Sequence, residues 1–235
     1  MILTDRKTLN ISVIIPTLNE GKGLGRLLIS LQEYPGLEII VADGGSSDQT
    51  LEIAKYYGAQ TVSSGPGRGR QQNKGAASAS GDTFLFLHSD TFPPVNFPYH
   101  IATFLSLPNT AGGAFRLKID APGAGFRMIE WGANLRSFLF QMIYGDQAIF
   151  VRKHLFFKAG TFPDQMILED VELVRRLKKF GKIRLAPAAV ITSPRRWQKL
   201  GLVRTTLLNQ VMLAGYLLKI DPEKLGRLYY KKFTG

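Results

Sequence analysis

Three short apolar segments near the beginning of the chain each lead directly into polar residues. The segments cover residues 11–16, 37–42 and 84–87, and Asp43 and Asp90 are acids that follow the second and the third. Patterns typical of helices separate the segments, with apolar residues three or four positions apart. Strands that alternate with helices predict a mainly parallel α/β sheet flanked by helices. Since such sheets bind ligands beyond the carboxyl ends of their strands, we expect the functional site at that edge.

The rest of the chain predicts further elements but no repeat. Helices are expected at residues 24–31, 50–57, 76–80, 126–140 and 170–180, and strands at 61–63, 113–119, 148–151 and 188–191. With 235 residues, of which 45% are hydrophobic, the chain can bury one substantial core. We therefore predict one main domain over residues 1–200 and a basic, amphipathic helical extension over residues 201–235.

Positive charge is concentrated at the end of the chain. Residues 175–235 contain 15 Lys and Arg against 2 Asp and Glu, whereas residues 1–174 contain 15 against 16. A basic segment beside a nearly neutral domain indicates an anionic neighbour, such as the phosphates of a ligand, a membrane surface or nucleic acid. A solvated basic face that aids solubility is an equally open alternative.

The extension contains an amphipathic pattern that bears on location. Its apolar residues are Leu207, Val211, Ala214 and Leu218. Only 14 residues lie between Arg204 and Lys219, fewer than the roughly 20 needed to span a bilayer. We expect this face to pack against the core, with a position in an anionic membrane interface as the alternative. No early apolar run has the length of a signal sequence, which predicts a cytoplasmic protein, with peripheral contact at the inner face of the cell membrane as an option.

Asp43 and a basic loop after it are candidates for ligand contacts. The Asp43 carboxylate emerges at the end of a strand, where it can accept hydrogen bonds from a nucleobase or a ribose. Capping of the next helix accounts for Ser47 or Asp48 but leaves Asp43 unexplained. The loop at residues 65–75 is rich in glycine and arginine, and the planar fork of arginine suits phosphate or a uracil carbonyl. We favour Arg70 for that contact.

Asp90 ends the most apolar strand, in the tripeptide His88-Ser89-Asp90. A carboxylate in that position is costly unless it is hydrated, paired or bound to a metal. We predict that Asp90 binds a divalent cation, Mg²⁺ or Mn²⁺, which would neutralise charge on a departing nucleoside diphosphate. His88 is a second candidate ligand, although a packed, hydrogen-bonded histidine is as common. With no cysteine in the chain, any metal must be held by oxygen or imidazole.

Taken together, these motifs resemble the inverting family 2 glycosyltransferases, especially small bacterial members associated with arsenosugar, lipid or carotenoid glycosylation. The resemblance runs from about residue 11 to about residue 197. It implies the GT-A fold, a nucleotide-diphosphate sugar donor and a divalent cation. It assigns the nucleotide contacts to Pro16, Thr17, Glu20, Asp43, Arg70 and Ser89. Asp90 corresponds to the second acid of the family's Asp-x-Asp motif, whereas His88 and Thr161 depart from the family at its first acid and in its Gly-Gly-Phe turn.

The pair Glu169-Asp170 opens a predicted helix, where acids are stabilised by the helix dipole in any case. By the resemblance, the pair supplies the general base that takes the proton of the acceptor hydroxyl. We assign Asp170 as the base, with Glu169 orienting it or binding the acceptor; the reverse assignment stays open.

Five further residues are candidates for contacts with the diphosphate or the acceptor. They are Arg195, Arg196, Trp197, Asp146 and Gln147. Two adjacent arginines after a strand can close over a diphosphate, and a tryptophan can cover a sugar. The beginning of a basic surface is the alternative for the first three.

The favoured function is therefore transfer of a sugar from a nucleotide-diphosphate donor, preferably a UDP-sugar, to an unknown hydroxyl acceptor, with a lipid-linked acceptor as one option. The expected route is a metal-assisted single displacement. The alternative is a non-catalytic protein that binds a nucleotide or a polyanion through its basic C-terminal region. The basic region lacks the interleaved aromatic residues typical of nucleic-acid binding, so no nucleic-acid partner is expected.

Overall fold

The computed structural model describes the backbone of residues 9–234 and the side chains of residues 9–229. The strands are β1 (Ile11–Thr17), β2 (Glu38–Asp43), β3 (Gln60–Ser63), β4 (Thr83–Phe86), β5 (Thr91–Phe92), β6 (Thr110–Ile119), β7 (Ile149–Arg152) and β8 (Lys182–Thr192). The helices are α1 (Gly21–Gln32), α2 (Thr50–Tyr56), α3 (Arg68–Ser78), α4 (Phe97–Ser106), α5 (Ala124–Phe140), α6 (Lys153–Lys158), α7 (Glu169–Leu177), α8 (Arg195–Leu200), α9 (Leu202–Leu217) and α10 (Pro222–Thr234), with a 3₁₀ turn at Gly145–Gln147.

The eight strands form one mixed sheet in the order β3-β2-β1-β4-β7-β6-β8-β5. The first half is parallel, because β2 and β4 both pair with β1 and β3 pairs with β2 in the same direction. β7 then runs antiparallel to both β4 and β6, and β5 runs antiparallel to β8. The predicted α/β architecture with a parallel sheet in its N-terminal half is confirmed, and the antiparallel strands belong to the half of the chain beyond Asp90.

Helices cover both faces of the sheet, which explains why the N-terminal strands are apolar along their whole length. All seven residues of β1 are buried. Val13 and Ile15 pack with Leu24 and Leu28 of α1 on one face, whereas Ile14 packs with Ala76 of α3 on the other. The carboxyl ends of β1, β2 and β4 therefore open at one edge, as the sequence predicts.

The basic loop predicted at residues 65–75 is mostly helical, because α3 begins at Arg68. The glycines in that segment mislead a prediction based on local propensity, since Gly in a helix is unfavourable. Here they serve packing: a Cβ on Gly75 would lie 2.6 Å from the Ile14 side chain, and one on Gly69 would lie 2.8 Å from the Pro163 carbonyl oxygen. Glycine allows α3 to approach the sheet closely.

Helix α9 packs against the protein through a different face from the one expected. Its predicted apolar face is exposed: Leu207 is 60% exposed, Val211 53% and Leu218 76%. The face that is buried carries Leu208 and Met212 instead, which cluster with Ile167, Leu225 and Tyr229. The expectation that residues 207, 211, 214 and 218 contact the core is wrong, because the helix is apolar on two sides and the amphipathic pattern alone does not select between them. Across residues 9–234, no helix combines the length and the apolarity that a bilayer crossing requires.

Candidate active site

A cleft opens at the carboxyl edge of the sheet, between the end of β4, the 3₁₀ turn and the start of α7. The end of β8 and helices α8, α9 and α10 close its other side. Predicted site residues that line it are His88, Asp90, Asp146, Glu169, Asp170, Arg196 and Trp197. These residues are up to 109 positions apart in the chain, between His88 and Trp197. The fold thus brings seven of the predicted residues to one place.

Asp90 is held by an arginine in this structure. Nη2 of Arg195 donates to Oδ2 of Asp90 at 3.0 Å and to Oε2 of Glu20 at 3.0 Å. The guanidinium thereby joins the loop after β1 to the end of β4. Burial raises the pKa of Glu20, and the hydrogen bond and charge of Arg195 oppose that shift only in part.

Asp170 is oriented by two backbone donors. Its Oδ2 accepts from the Gly145 N–H at 2.5 Å, and its Oδ1 accepts from the Val171 N–H at 2.7 Å. Gly145 is confined as well, because a Cβ on it would lie 2.8 Å from Nε2 of His88 and 3.3 Å from Oδ2 of Asp170. The carboxylate therefore has one orientation, with the 3₁₀ turn as its support.

Glu169 is far more buried than its neighbour, with 4% of its surface exposed. Its nearest cation is Arg68, whose Nε lies 3.7 Å from Oε1 of Glu169. Burial raises the pKa of Glu169, the charge of Arg68 opposes the shift, and the charge of Asp170 adds to it. Leu168, which precedes the pair, adopts a left-handed conformation with φ 60°. This conformation is costly for a leucine and turns the chain into α7 at the position where the two acids enter the cleft.

Three buried polar atoms in the cleft have no hydrogen-bond partner: Oη of Tyr144, Oδ1 of Asp146 and Nε1 of Trp197. The side chains described contain one more such atom, on Thr103. Burial raises the pKa of Asp146, although the charges of Arg136 and Arg196 oppose the shift. Burial also raises the pKa of Tyr144 to about 12. An unpaired buried donor or acceptor costs about 1–3 kcal/mol, and because these three atoms have almost no accessible surface, a ligand can pair with them only if the surrounding side chains move.

The loops after β1 and β2 form a rigid rim beside the cleft. Asp43 is 1% exposed, and its carboxylate accepts from the backbone N–H groups of Gly45 and Ser46 at 2.9 and 2.8 Å and from the hydroxyls of Ser46 and Thr17 at 2.5 and 3.2 Å. Burial raises the pKa of Asp43, but the bonds from Ser46, Gly45 and Thr17 outweigh it and leave the pKa below its ordinary value. Asn19 joins the two loops by accepting from the Ser47 N–H at 2.9 Å.

Four other predicted residues lie apart from the cleft. Pro16 and Thr17 are buried at the end of β1, where Thr17 contacts Asp43, and Ser89 is buried between His88 and Asp90. Gln147 is fully buried, with its amide group bonded to the Ser137 hydroxyl at 2.7 Å and the Phe115 carbonyl at 3.1 Å. These bonds give it a structural role that joins α5 and β6.

The arginine of α3 that lines the cleft is Arg68, whereas the predicted Arg70 lies outside it. Arg70 is exposed and forms a bidentate salt bridge with Asp164, in which Nε donates to Oδ1 at 2.6 Å and Nη2 donates to Oδ2 at 2.8 Å. Arg68, two residues earlier and therefore on nearly the opposite side of the same helix, lines the cleft beside Glu169. Nothing in the local sequence distinguishes the two, because the choice depends on the direction in which α3 leaves the loop.

The structure adds cleft residues that the sequence did not single out. They are Arg68, Tyr144, Thr192, Asn209, Met212 and Tyr229. Tyr144 had a signal, since it directly precedes the candidate segment Gly145-Asp146-Gln147. In the structure the Arg136 guanidinium stacks over its ring at 3.8 Å. Asn209, Met212 and Tyr229 had none, because only the tertiary packing of α9 and α10 brings them to the cleft.

The residues around Asp90 fit a divalent cation that is shared with a ligand. Among the described residues, no three His, Asp or Glu side chains are close enough to form a metal cage on their own. Mg²⁺ is commonly held by one or two carboxylates together with substrate phosphates, so a full protein cage is not required. Burial of the imidazole lowers the pKa of His88 to about 3, and the positive charge of Arg68 contributes to the shift. Its imidazole is therefore neutral, which is the form that binds metals.

Comparison with known proteins identifies the class. The model of glycosyl transferase family 2 matches residues 12–162, which is more than half of the chain. The chain belongs to glycosyl transferase family 2. It is 26% identical over 255 residues to the probable glycosyltransferase YdaM of Bacillus subtilis (strain 168), covering 95% of this chain and 60% of that protein. It is 34% identical over 103 residues to the glucosyl-3-phosphoglycerate synthase of Petrotoga mobilis, covering 37% of this chain and 32% of that protein.

Solved structures show the same fold. TarS of Staphylococcus aureus in complex with UDP-GlcNAc superposes with a TM-score of 0.62 at 21% identity, over 79% of this chain and 58% of that one. Glucosyl-3-phosphoglycerate synthase of Mycobacterium tuberculosis, in complex with Mn²⁺, UDP and glucosyl-3-phosphoglycerate, superposes with a TM-score of 0.61 at 22% identity, over 86% and 79%. The predicted GT-A fold and the predicted resemblance to family 2 are confirmed, and family membership favours glycosyl transfer over the non-catalytic alternative. The chain spans three fifths or less of the length of the curated relatives named above.

Proposed function

We propose that this chain is an inverting glycosyltransferase that transfers a sugar from a UDP-sugar to a hydroxyl group of its acceptor. The observation that carries the proposal is the convergence of Asp90 and Asp170 with Arg68 and Arg196 on one cleft at the carboxyl edge of the sheet. Carboxylates suit a cation and a general base, and arginines suit a diphosphate. UDP-GlcNAc and UDP are the ligands named for the solved relatives, which favours a uridine donor.

The proposed reaction is one displacement at the anomeric carbon. The acceptor oxygen forms a bond to that carbon while the bond from the carbon to the diphosphate oxygen breaks. The acceptor proton passes to Asp170, and the nucleoside diphosphate leaves with the electron pair. We assign the base to Asp170 because it is more exposed to the cleft than Glu169 and its two backbone donors fix its orientation.

Arg68, Arg195 and Arg196 are the proposed partners of the diphosphate. Arg68 and Arg196 line the cleft, and Arg195 stands at its edge on Asp90 and Glu20. Their positive charges stabilise the negative charge that develops on the leaving group. Asp90 and His88 would hold the divalent cation together with phosphate oxygens. When bound, Mg²⁺ or Mn²⁺ supplies Lewis-acid stabilisation of the departing diphosphate.

The proposed nucleoside contacts are on the rim formed by the loops after β1 and β2. Asp43 already accepts four hydrogen bonds from the protein, so we propose that it acts chiefly by holding the rim in shape. Pro16, Thr17, Glu20 and Arg70 remain proposed members of this region. The proposed location is the cytoplasm, including the inner membrane face for an acceptor carried by a lipid.

The proposal is tested first by ligand-induced stabilisation. UDP, GDP and their sugars are added to the protein with and without Mn²⁺, and the melting temperature is measured. A ligand at 100 times its Kd stabilises by about 2.7 kcal/mol, which corresponds to several degrees for a chain of this size. We expect the largest shift with a UDP-sugar and Mn²⁺. Absence of a shift with every nucleotide would contradict the assignment of the cleft.

The catalytic assignment is tested with Asp170→Asn, which keeps the shape of the side chain and removes the base. Turnover of the stabilising donor should fall by about 10²–10⁴-fold, while its binding is largely kept. Asp120→Asn is the matched control, since Asp120 is exposed and lies outside the cleft. Turnover by Asp170→Asn equal to that of Asp120→Asn would refute the role of Asp170.

A further inference from the structure

Helix α5 presents an apolar stripe to solvent. Its outward positions are Met128, Trp131, Leu135 and Phe138, spaced three or four residues apart on one face. Trp131 is 67% exposed and Phe138 70%. Leu139 and Phe140 continue the apolar surface to the end of the helix. A stripe of this kind normally faces a core or a partner, because single exposed apolar residues are common but contiguous ones are not.

Helix α9 carries a second stripe of the same character. Val203, Leu207, Val211 and Leu218 are exposed on its outer face. The two helices meet at their N-terminal ends, where a Cβ on Gly125 would lie 3.1 Å from the Leu202 side chain. The stripes therefore start from one corner of the molecule. Together they make an apolar surface that nothing in the described part of the chain covers.

The surroundings of both stripes are basic. Lys178 donates to the Phe140 carbonyl at 3.0 Å, and Lys179 and Lys182 border the groove next to it. At the other end, Lys199 and Arg204 are exposed around the start of α9. The helices themselves carry little negative charge: α9 contains no acid, and the one on α5, Glu130, is bonded to the Arg127 side chain and the Ile119 N–H. Acids stand only beyond their ends, with Asp120 before α5 and Asp221 and Glu223 after α9.

We infer that α5 and α9 form a surface that binds an anionic lipid bilayer, with the apolar stripes in the interface and the basic residues against the headgroups. Apolar helix faces with basic borders bind membranes in this way, and tryptophan is favoured at the interface. A second copy of the chain is a poorer occupant, because pairing through these stripes would bring two basic borders together. The inference does not depend on the proposed reaction.

The position of α9 places this surface next to the cleft. The outer face of α9 carries the stripe, whereas Asn209 and Met212 on its inner side line the cleft. An α-helix is about 10 Å thick, so the bilayer surface would lie roughly one helix from the cleft. A substrate that is anchored in a lipid leaflet needs to move only that distance to reach the candidate base.

Vesicle flotation tests the inference with the full chain. The probes are vesicles of phosphatidylcholine alone and vesicles with about one third phosphatidylglycerol. We expect the protein to float with the anionic vesicles, to be released at high salt and to bind neutral vesicles at least tenfold less. The emission of Trp131 should shift to the blue on binding, because Trp197, the other tryptophan, is already buried.

Two variants test whether vesicle binding depends on the proposed surface or on nonspecific adsorption through exposed apolar side chains. The pair Trp131→Ser and Phe138→Ser should reduce flotation at least tenfold. Tyr56→Ser is the matched control, since Tyr56 is 84% exposed on α2, away from both stripes, and this variant should float normally. Circular dichroism checks that each variant is folded. Equal flotation of the double variant and the control, or no binding of the wild type to either vesicle, would overturn the inference. So would a wild-type dimer in solution that the double variant converts to monomer.

Discussion

Gly145 lines the cleft at a position that has no room for a side chain. It supplies the N–H that holds Asp170 and lies against the His88 ring. An added methyl group would lie 2.8 Å from Nε2 of His88, closer than real Cβ contacts, so either the ring or the turn must move. The requirement is one of space, since Gly145 does not have a positive φ.

We therefore expect Gly145→Ala to reduce turnover at least tenfold and to lower stability by about 1–3 kcal/mol, because overpacking at this site displaces the support of Asp170. Steady-state kinetics and thermal melts measure both effects. Gly23→Ala is the matched control: Gly23 lies in α1 with open space around its Cα, so alanine should leave turnover unchanged and stabilise slightly. Normal turnover in Gly145→Ala would show that the turn does not support the base.

At the scale of single residues, the sequence was a good guide to acids and a poor one to arginine and amide side chains. Asp90, Glu169 and Asp170 reach the cleft because each follows or begins an element whose position the pattern predicts. Arg68 and Gln147 differ from expectation for another reason. Whether a side chain faces a cleft or the core depends on how its helix or strand is rotated about its own axis. The sequence does not show that rotation, so residues one or two positions apart are equally good candidates.

At the scale of secondary-structure elements, Glu172 links helices α7 and α9, which both contribute residues to the cleft. Located on α7, it accepts from Arg175 at 2.7 and 2.8 Å, from Arg176 at 2.8 Å and from the Tyr216 hydroxyl on α9. The hydrogen bond from Arg175, helped by those from Tyr216 and Arg176 and opposed by burial, lowers the pKa of Glu172 to about 2. The ion pairs lie within α7, and the hydrogen bond from Tyr216 is the contact through which Glu172 helps to hold α9 beside the acids of α7.

The sign of its pH dependence follows from that pKa. The unfolded chain binds the proton near pH 4.5 and the folded protein near pH 2, so the stabilisation is complete above pH 4.5 and is lost as the pH falls towards 2. We expect Glu172→Gln to cost about 1–2 kcal/mol at pH 7, a value reduced for the exposure of the arginines, and progressively less below pH 4.5. Urea melts from pH 7 to pH 3 measure this difference. Glu52→Gln, on the exposed side of α2, is the control; a cost for Glu172→Gln that stays constant with pH would contradict the ion-pair account.

The positions of helices and strands were predicted better than the directions of the strands. The helix predicted at residues 126–140 lies within α5, and the strand predicted at residues 148–151 overlaps β7. Strand direction was not predictable beyond Asp90. β7 enters the middle of the sheet antiparallel, and that pairing joins residues far apart, such as Phe84 and Val151. α9 shows the second limit, because a helix that is apolar on two sides offers the core two equivalent faces.

At the scale of the whole molecule, helices α9 and α10 form part of the wall of the cleft. They contribute Asn209, Met212 and Tyr229 to the cleft and bury Ile167 ahead of α7. The predicted boundary at residue 200 lies between α8 and α9, and the contacts of α9 and α10 with the cleft cross it. Gly226 illustrates the closeness, since a Cβ on it would lie 2.6 Å from the Met166 side chain.

A chain that ends at residue 200 should consequently lose more than a membrane contact. We expect a lower melting temperature, exposure of the segment around Ile167 and loss of turnover, because the truncation uncovers an apolar cluster and one side of the cleft. Thermal melts, hydrogen exchange at α7 and donor turnover give the measurement. Full turnover and an unchanged melting temperature in the shortened chain would establish residues 1–200 as an independent catalytic domain.

Arg195 ties the chemistry of the cleft to a balance of charges. Its guanidinium pairs with both Asp90 and Glu20, which belong to loops that follow different strands. A cation held at Asp90, as proposed, would therefore compete with Arg195 for this carboxylate, and the displaced guanidinium would need a new anion. A diphosphate that binds at the same time would provide that anion. Under the proposed function, we therefore expect metal and donor to bind cooperatively.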